Sequence, residues 1–247
     1  MKKIFLSLCF FFQPVYGAFS GHFAEPCYVC PSLFSFPSGY VYDDITDKKL
    51  TVIDPDSQAP TFNNLQLKSN FGLFSFCLIR RIEFYALLGK TTAHIDWEDD
   101  LPFDDKTSAH FSWQAGVRGY LFSINPFCLG FSASYFAVPN LKEDTGLQDW
   151  VEIDLSYPRS FKLKEWQATI GIFVPISVAI PYVGVQYLDS RFDLYTKDPS
   201  LHIKYKNKNK IGLVVGACLN LGQSFFLSAE KRFYSEEAVS ASCAFVF

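Results

Sequence analysis

Two cysteines three residues apart, in the stretch "EPCYVCPSL", are the first place in this chain where side chains could do chemistry together. The Cys-x-x-Cys spacing of Cys27 and Cys30 serves a redox centre, half of a zinc site or a structural disulfide. Pro26 and Pro31 flank the pair and no strand-helix-strand pattern surrounds it, which argues against redox chemistry. Zinc needs two further ligands, and His22 is the one obvious neighbour, so no metal is expected. A disulfide between Cys27 and Cys30, cross-links from them to partners, and an unused pair of thiols remain as alternatives. Cys77, Cys128, Cys218 and Cys243 fall in apolar alternating stretches and read as small fillers. No Ser-containing hydrolase motif stands out, no cofactor is called for, and the expectation is a protein that is not an enzyme.

The other notable residues are polar ones set in apolar surroundings: Gln114, Arg118, Gln167, Glu230 and Arg232. The elements that hold them follow from where charge is missing. Charged side chains vanish over 119–141, 166–188 and 211–229, each long enough for a transmembrane helix. Each window is nevertheless split by turn chemistry, "INPF", "VPISVAIP" and "LNLGQS", so each reads as a hairpin of two strands. In "HFSWQAGVRGYLF" the large apolar residues Phe111, Trp113, Val117 and Leu121 alternate with Ser112, Gln114, Gly116 and Arg118. "EWQATIGIFV" and "KIGLVVGACLNL" repeat the pattern. Period two with large apolar residues on one face and small or polar ones on the other fits a strand between lipid and a lumen. Gln114, Arg118, Gln167, Glu230 and Arg232 then become the candidate lumen-lining residues.

Strands are predicted near 36–46, 63–78, 81–93, 109–123, 126–138, 162–174, 180–193, 206–220, 223–235 and 237–247. The fold class is therefore all-β, a transmembrane antiparallel up-and-down β-barrel of about ten strands, with eight and twelve the neighbouring counts. The segment "WVEIDLSY" also alternates and is read as part of a long outer loop. Charged loops alternate with nearly uncharged turns, and an even strand count puts both termini on the side of the tight turns, the periplasmic side. Met1-Lys2-Lys3, the run "IFLSLCFFF" and small residues near Gly17 form a secretory leader over 1–17. A periplasmic segment with the Cys-x-x-Cys follows over 18–35, and the barrel occupies 36–247.

Composition agrees. There are 27 Phe against one Met, and aromatics make up 18% of the chain, an excess that suits strands in an apolar surround. Without Lys2 and Lys3 the formal charge moves from -3 to -5, so nucleic acid is not an expected partner.

The end of the chain, "SFFLSAEKRFYSEEAVSASCAFVF", resembles that of bacterial outer-membrane β-barrels: a strand, a tight turn and a last strand closing on Phe247. The resemblance implies that Phe245 and Phe247 are an assembly signal read by the barrel-assembly machinery, and that the barrel sits in outer-membrane lipid of a Gram-negative cell. "EPCYVCPSLFSFPSGYVYDD" is similar to the mature start of the chlamydial major outer-membrane protein (porin) family, through Pro26, Cys27, Cys30, Gly39, Tyr40 and Asp43. That resemblance implies an envelope that is cross-linked by cysteines, with other cysteine-containing envelope proteins as partners. The strand count also resembles outer-membrane proteases of the ten-strand class, which carry acidic and Asp-His pairs at the extracellular rim. Here "HIDWEDD" offers His94, Asp96, Asp99 and Asp100, with His110 across the loop and His202 standing alone beside Leu201 and Ile203. The expected function is porin-like diffusion of small solutes, a structural envelope role, or both. The alternatives are a surface-exposed adhesin or binding protein acting through acidic outer loops, and a rim protease.

Overall fold

The computed structural model describes residues 34–53, 62–78, 82–97, 104–142, 160–195, 202–222 and 224–247. The expected leader over 1–17, Cys27, Cys30 and "WVEIDLSY" lie outside the described residues. Ten long strands carry the fold: β1 (Pro37–Lys48), β2 (Phe62–Leu78), β3 (Ile82–Trp97), β4 (His110–Ile124) and β5 (Phe127–Lys142). They continue as β6 (Ser160–Phe173), β7 (Ala179–Tyr195), β8 (Ile211–Asn220), β9 (Phe225–Phe233) and β10 (Glu237–Val246). Each pairs antiparallel with the next, and β10 pairs back onto β1 from Val246↔Pro37 to Glu237↔Asp47, so the sheet closes on itself. Closure leaves no unpaired edge, which an apolar surround would penalise heavily.

Alternation decides which side chains face in. Along β6, Trp166, Ala168, Ile170 and Ile172 are exposed while Glu165, Gln167, Thr169, Gly171 and Phe173 are buried. In β10, Val239, Ala241 and Phe245 point out, and Ala238, Ser240, Ser242 and Ala244 point in. Trp166 to Val174 spans roughly 26 Å along the strand, or about 20 Å of height at the usual tilt, close to the apolar band of a membrane barrel. Exposed apolar side chains ring the molecule, among them Phe84, Leu88, Ile170, Val183, Val215 and Val239. A continuous apolar surface of that kind marks a face that meets something other than water.

The hairpins close where the sequence predicts. Asn125-Pro126 joins β4 to β5, Ile176 and Ala179 bridge between β6 and β7, and Gly222 takes φ 105° between β8 and β9. That φ suits glycine, which has no Cβ to strain there.

Two features depart from the expected strands. The stretch 206–220 is not one strand: His202–Asn207 is separated from β8 by Lys208–Lys210. The interruption is a bulge held by one side chain. Asn207 Oδ1 accepts from the Ser190 amide at 3.0 Å, and its Nδ2 donates to the carbonyls of Leu188 (2.8 Å) and Asn209 (2.7 Å), taking the place of ladder bonds. The wall also changes strand number with height. β9 and β10 turn early, at Tyr234–Glu236, and above them Leu50–Val52 pairs directly with His202–Asn207, which pairs with β7. Ten strands encircle the middle, and beyond the turn at Tyr234–Glu236 the wall continues through Leu50–Val52 and His202–Asn207.

Candidate functional site

The bore is the candidate site, and its layers follow from inward residue type. At the loop end it holds a cluster of Leu65, Leu67, Ile95, Phe161, Leu163 and Phe192, with further apolar side chains around them. Near the tight turns lies a smaller cluster that includes Cys128, Phe173, Ile180, Cys218 and Phe226. Polar and charged side chains lie between, while the larger cluster continues down one wall through Val41, Phe71, Leu73 and Ala244.

Arg232, on β9, organises the larger polar network. Its Nε donates to Glu236 at 2.8 Å, Nη2 to Asp43 at 2.7 Å, and Nη1 to Ser240 at 2.7 Å and to Glu230 at 3.3 Å. Ser240 also hydrogen-bonds Asp43, and the Tyr182 hydroxyl donates to Glu230 at 3.0 Å. Glu236 carries the network onward by accepting from Lys48 Nζ at 2.8 Å. Lys48 in turn pairs with Glu165, to which Ser190 donates at 2.5 Å. Lys48 belongs to β1 and Glu165 to β6, and at this height the wall between them runs from Leu50 through Asn207 to Ser190 and Glu165. The ion pair thus reaches over two intervening strands inside the bore. An edge-to-face contact of Phe71 on β2 with Phe136 on β5, at 6.2 Å, likewise reaches over two intervening strands.

A second ion pair lies on the wall. Arg118 grips Glu83 with both Nε and Nη2 at 2.6 Å, the bidentate geometry that a guanidinium matches best. Its guanidinium also sits 5.3 Å from the centre of the Tyr85 ring. Tyr85 and Tyr182 occupy equivalent places: each is registered opposite a glycine of the next strand, Gly116 and Gly216. A Cβ on either glycine would collide with the tyrosine ring and come within 2.7 Å of a backbone carbonyl, of Ala133 or Ala229. Glycine there lets each ring lie across the neighbouring strand and bring its hydroxyl to the polar layer.

All five lumen-lining candidates, Gln114, Arg118, Gln167, Glu230 and Arg232, point inward and are at most 3% exposed. Their partners Asp43, Lys48, Glu83, Glu165 and Glu236 were not among the candidates. Asp43, Glu83 and Glu165 had a readable signal, since each shares inward parity with neighbours on its strand. Lys48 did not, because a bulge after Ile45 shifts the parity and brings Lys48 inside. Glu236 sits in a turn, where alternation says nothing.

The rim residues are not gathered. His94 and Asp96 lie on the outward row of β3, opposite Gln66 and Asn64 of β2. His110 is registered opposite the buried Thr91 and so belongs to the inward row. Asp99 and Asp100 lie outside the described residues. The filler reading of Cys77 needs correction: Cys77 is disulfide-bonded. It is buried at the end of β2, where Ser35 pairs with it, and the other described cysteines, Cys128, Cys218 and Cys243, are not disulfide-bonded. Phe245 packs against Phe225 with ring centres 4.7 Å apart on the outer face, and Phe247 is 83% exposed.

No family model and no curated protein matches this chain. Solved structures similar to it include the outer membrane protease OmpT of Escherichia coli, at 13% identity and TM-score 0.40, covering 90% of this chain and 99% of that one. The outer membrane protein OprG of Pseudomonas aeruginosa is 8% identical at TM-score 0.46, covering 87% and 95%. The β domain of the Bordetella autotransporter BrkA is 9% identical at TM-score 0.47, covering 86% and 99%.

Proposed function

We propose that this chain is an outer-membrane β-barrel of a bacterial envelope whose bore is shut by its own side chains. Its role on this reading is structural: it anchors charged outer loops in the membrane and passes no solutes. The ring of exposed apolar side chains supports the membrane setting, with the tight turns and Phe247 on the periplasmic side. The barrel-assembly machinery and outer-membrane lipid are the partners this reading implies. A catalytic role is not part of it, because His94 and Asp96 face outward while His110 faces in.

One observation carries the closed bore: the Lys48–Glu165 ion pair reaches over two intervening strands inside the bore, at a level where both side chains are at most 1% exposed. A diffusion pore needs its inward polar groups in water. Here Asp43, Lys48, Glu165, Glu230, Arg232 and Glu236 hold one another, while the Gln186 amide and the amide oxygens of Gln114 and Gln167 are buried without a hydrogen-bond partner among the described residues. The test is liposome swelling with the refolded chain. Proteoliposomes are expected to swell in arabinose no faster than protein-free liposomes, whereas porin-like rates would return the function to solute diffusion.

A further inference from the structure

Outside the bore, cross-strand register stacks like charges in a way that an isolated sheet disfavours. Arg191 of β7 is registered directly opposite Lys164 on β6 and opposite Lys206 on its other side. All three are exposed on the outward face. One step nearer the loops, Lys162 and Lys204 flank Asp193 in the same manner. Like charges directly opposite one another destabilise a ladder. Among the described residues, Lys164, Arg191 and Lys206 form no ion pair.

The height of this row gives it meaning. Trp113, Tyr135 and Trp166 form a line of contacting rings on the outside of β4, β5 and β6, with centres 5.5 Å and 4.8 Å apart. Aromatic rings in such a line mark the edge of the apolar band. Lys164 precedes Trp166 by two residues, which places the cations roughly 6–7 Å beyond that edge, toward the loops. That is the level of lipid headgroups. Three cations at headgroup height match a ligand bearing more than one phosphate, since guanidinium and ammonium groups bind phosphate oxygens by charge-assisted hydrogen bonds.

We propose that Lys164, Arg191 and Lys206 form a binding site for the phosphates of a polyphosphorylated lipid in the outer leaflet, with the acyl chains lying along the apolar face below Trp166. The site rests on the membrane reading given above, because the cations stand at headgroup height only if the apolar ring is embedded. Lipid is preferred over free phosphate because the row lies just above an apolar wall.

The probe is diphosphoryl lipid A in phosphatidylcholine, with retention per barrel counted by native mass spectrometry on the refolded full chain. The chain is expected to retain lipid A in preference to phosphatidylcholine. The triple variant Lys164→Gln, Arg191→Gln, Lys206→Gln should lose about ten-fold in that retention, the size expected when charge-assisted contacts are removed. A control variant, Lys68→Gln with Lys90→Gln, which alters outward lysines of β2 and β3, should keep it. Equal retention by the triple variant overturns the site. Binding of pyrophosphate in lipid-free micelles as strong as that of lipid A overturns the lipid assignment in favour of a soluble phosphate. Failure of the chain to insert into plain phosphatidylcholine vesicles overturns the membrane reading itself, and is told apart because it does not depend on lipid A.

Discussion

Replacing Arg232 by Met is expected to destabilise the barrel by about 3–5 kcal/mol, the cost of leaving buried charge without its partner. The guanidinium meets three carboxylates, Asp43, Glu230 and Glu236, each within 3.3 Å. Methionine matches the length of the side chain but supplies no donor, so those carboxylates stay close together without their shared cation. Repulsion and lost hydrogen bonds act in the same direction. Arg232→Lys keeps the charge but cannot present the fork that contacts Glu236, Ser240 and Asp43 at once, so it should fall between the two. Reversible urea unfolding of the refolded chain in lipid vesicles measures this. A loss below about 1 kcal/mol for Arg232→Met would place it in the range of a solvated surface pair and remove Arg232 from the centre of the network.

The second large effect is at the pair that Lys48 makes inside the bore. Lys48→Met leaves Glu165 and Glu236 without the ammonium they share, and a loss of about 3–5 kcal/mol is again expected. Glu165→Leu removes one of the two carboxylates that Lys48 contacts and frees the hydroxyl of Ser190. The double variant should be more stable than the sum of the single losses, with a coupling of about 1–3 kcal/mol, because each single change exposes the charge that the other removes. Strictly additive losses would mean that the two side chains do not meet, and the contact between them would have to be abandoned.

Much of this architecture is legible in the residues. Alternation in "EWQATIGIFV" and "KIGLVVGACLNL" assigns inward and outward faces, and turn chemistry splits each uncharged window into two strands. Strand ends were harder. Beyond the apolar band, β5 runs on to Lys142 and β3 to Trp97, where the buried residues Ala93, Ile95, Val138 and Leu141 are apolar and the outward ones polar, so the pattern that marks a strand in lipid reverses. Asn-Lys-Asn-Lys at 207–210 looks like continuing strand, yet Asn207 turns its amide into the ladder and makes a bulge. The inward polar residues could be named from parity, but their partners could not. Register along neighbouring strands is local information, while a contact between β1 and β6 depends on how the sheet curls and closes. Lys48 shows both difficulties, since a bulge sets its direction and closure sets its partner.

Single-channel recording on the refolded chain in a planar bilayer tests the closed bore most directly. The filled bore, with apolar clusters at both ends and the buried Lys48–Glu165 pair, predicts a flat baseline at moderate voltage from the unaltered chain. Steady porin-like currents from the unaltered chain would contradict it.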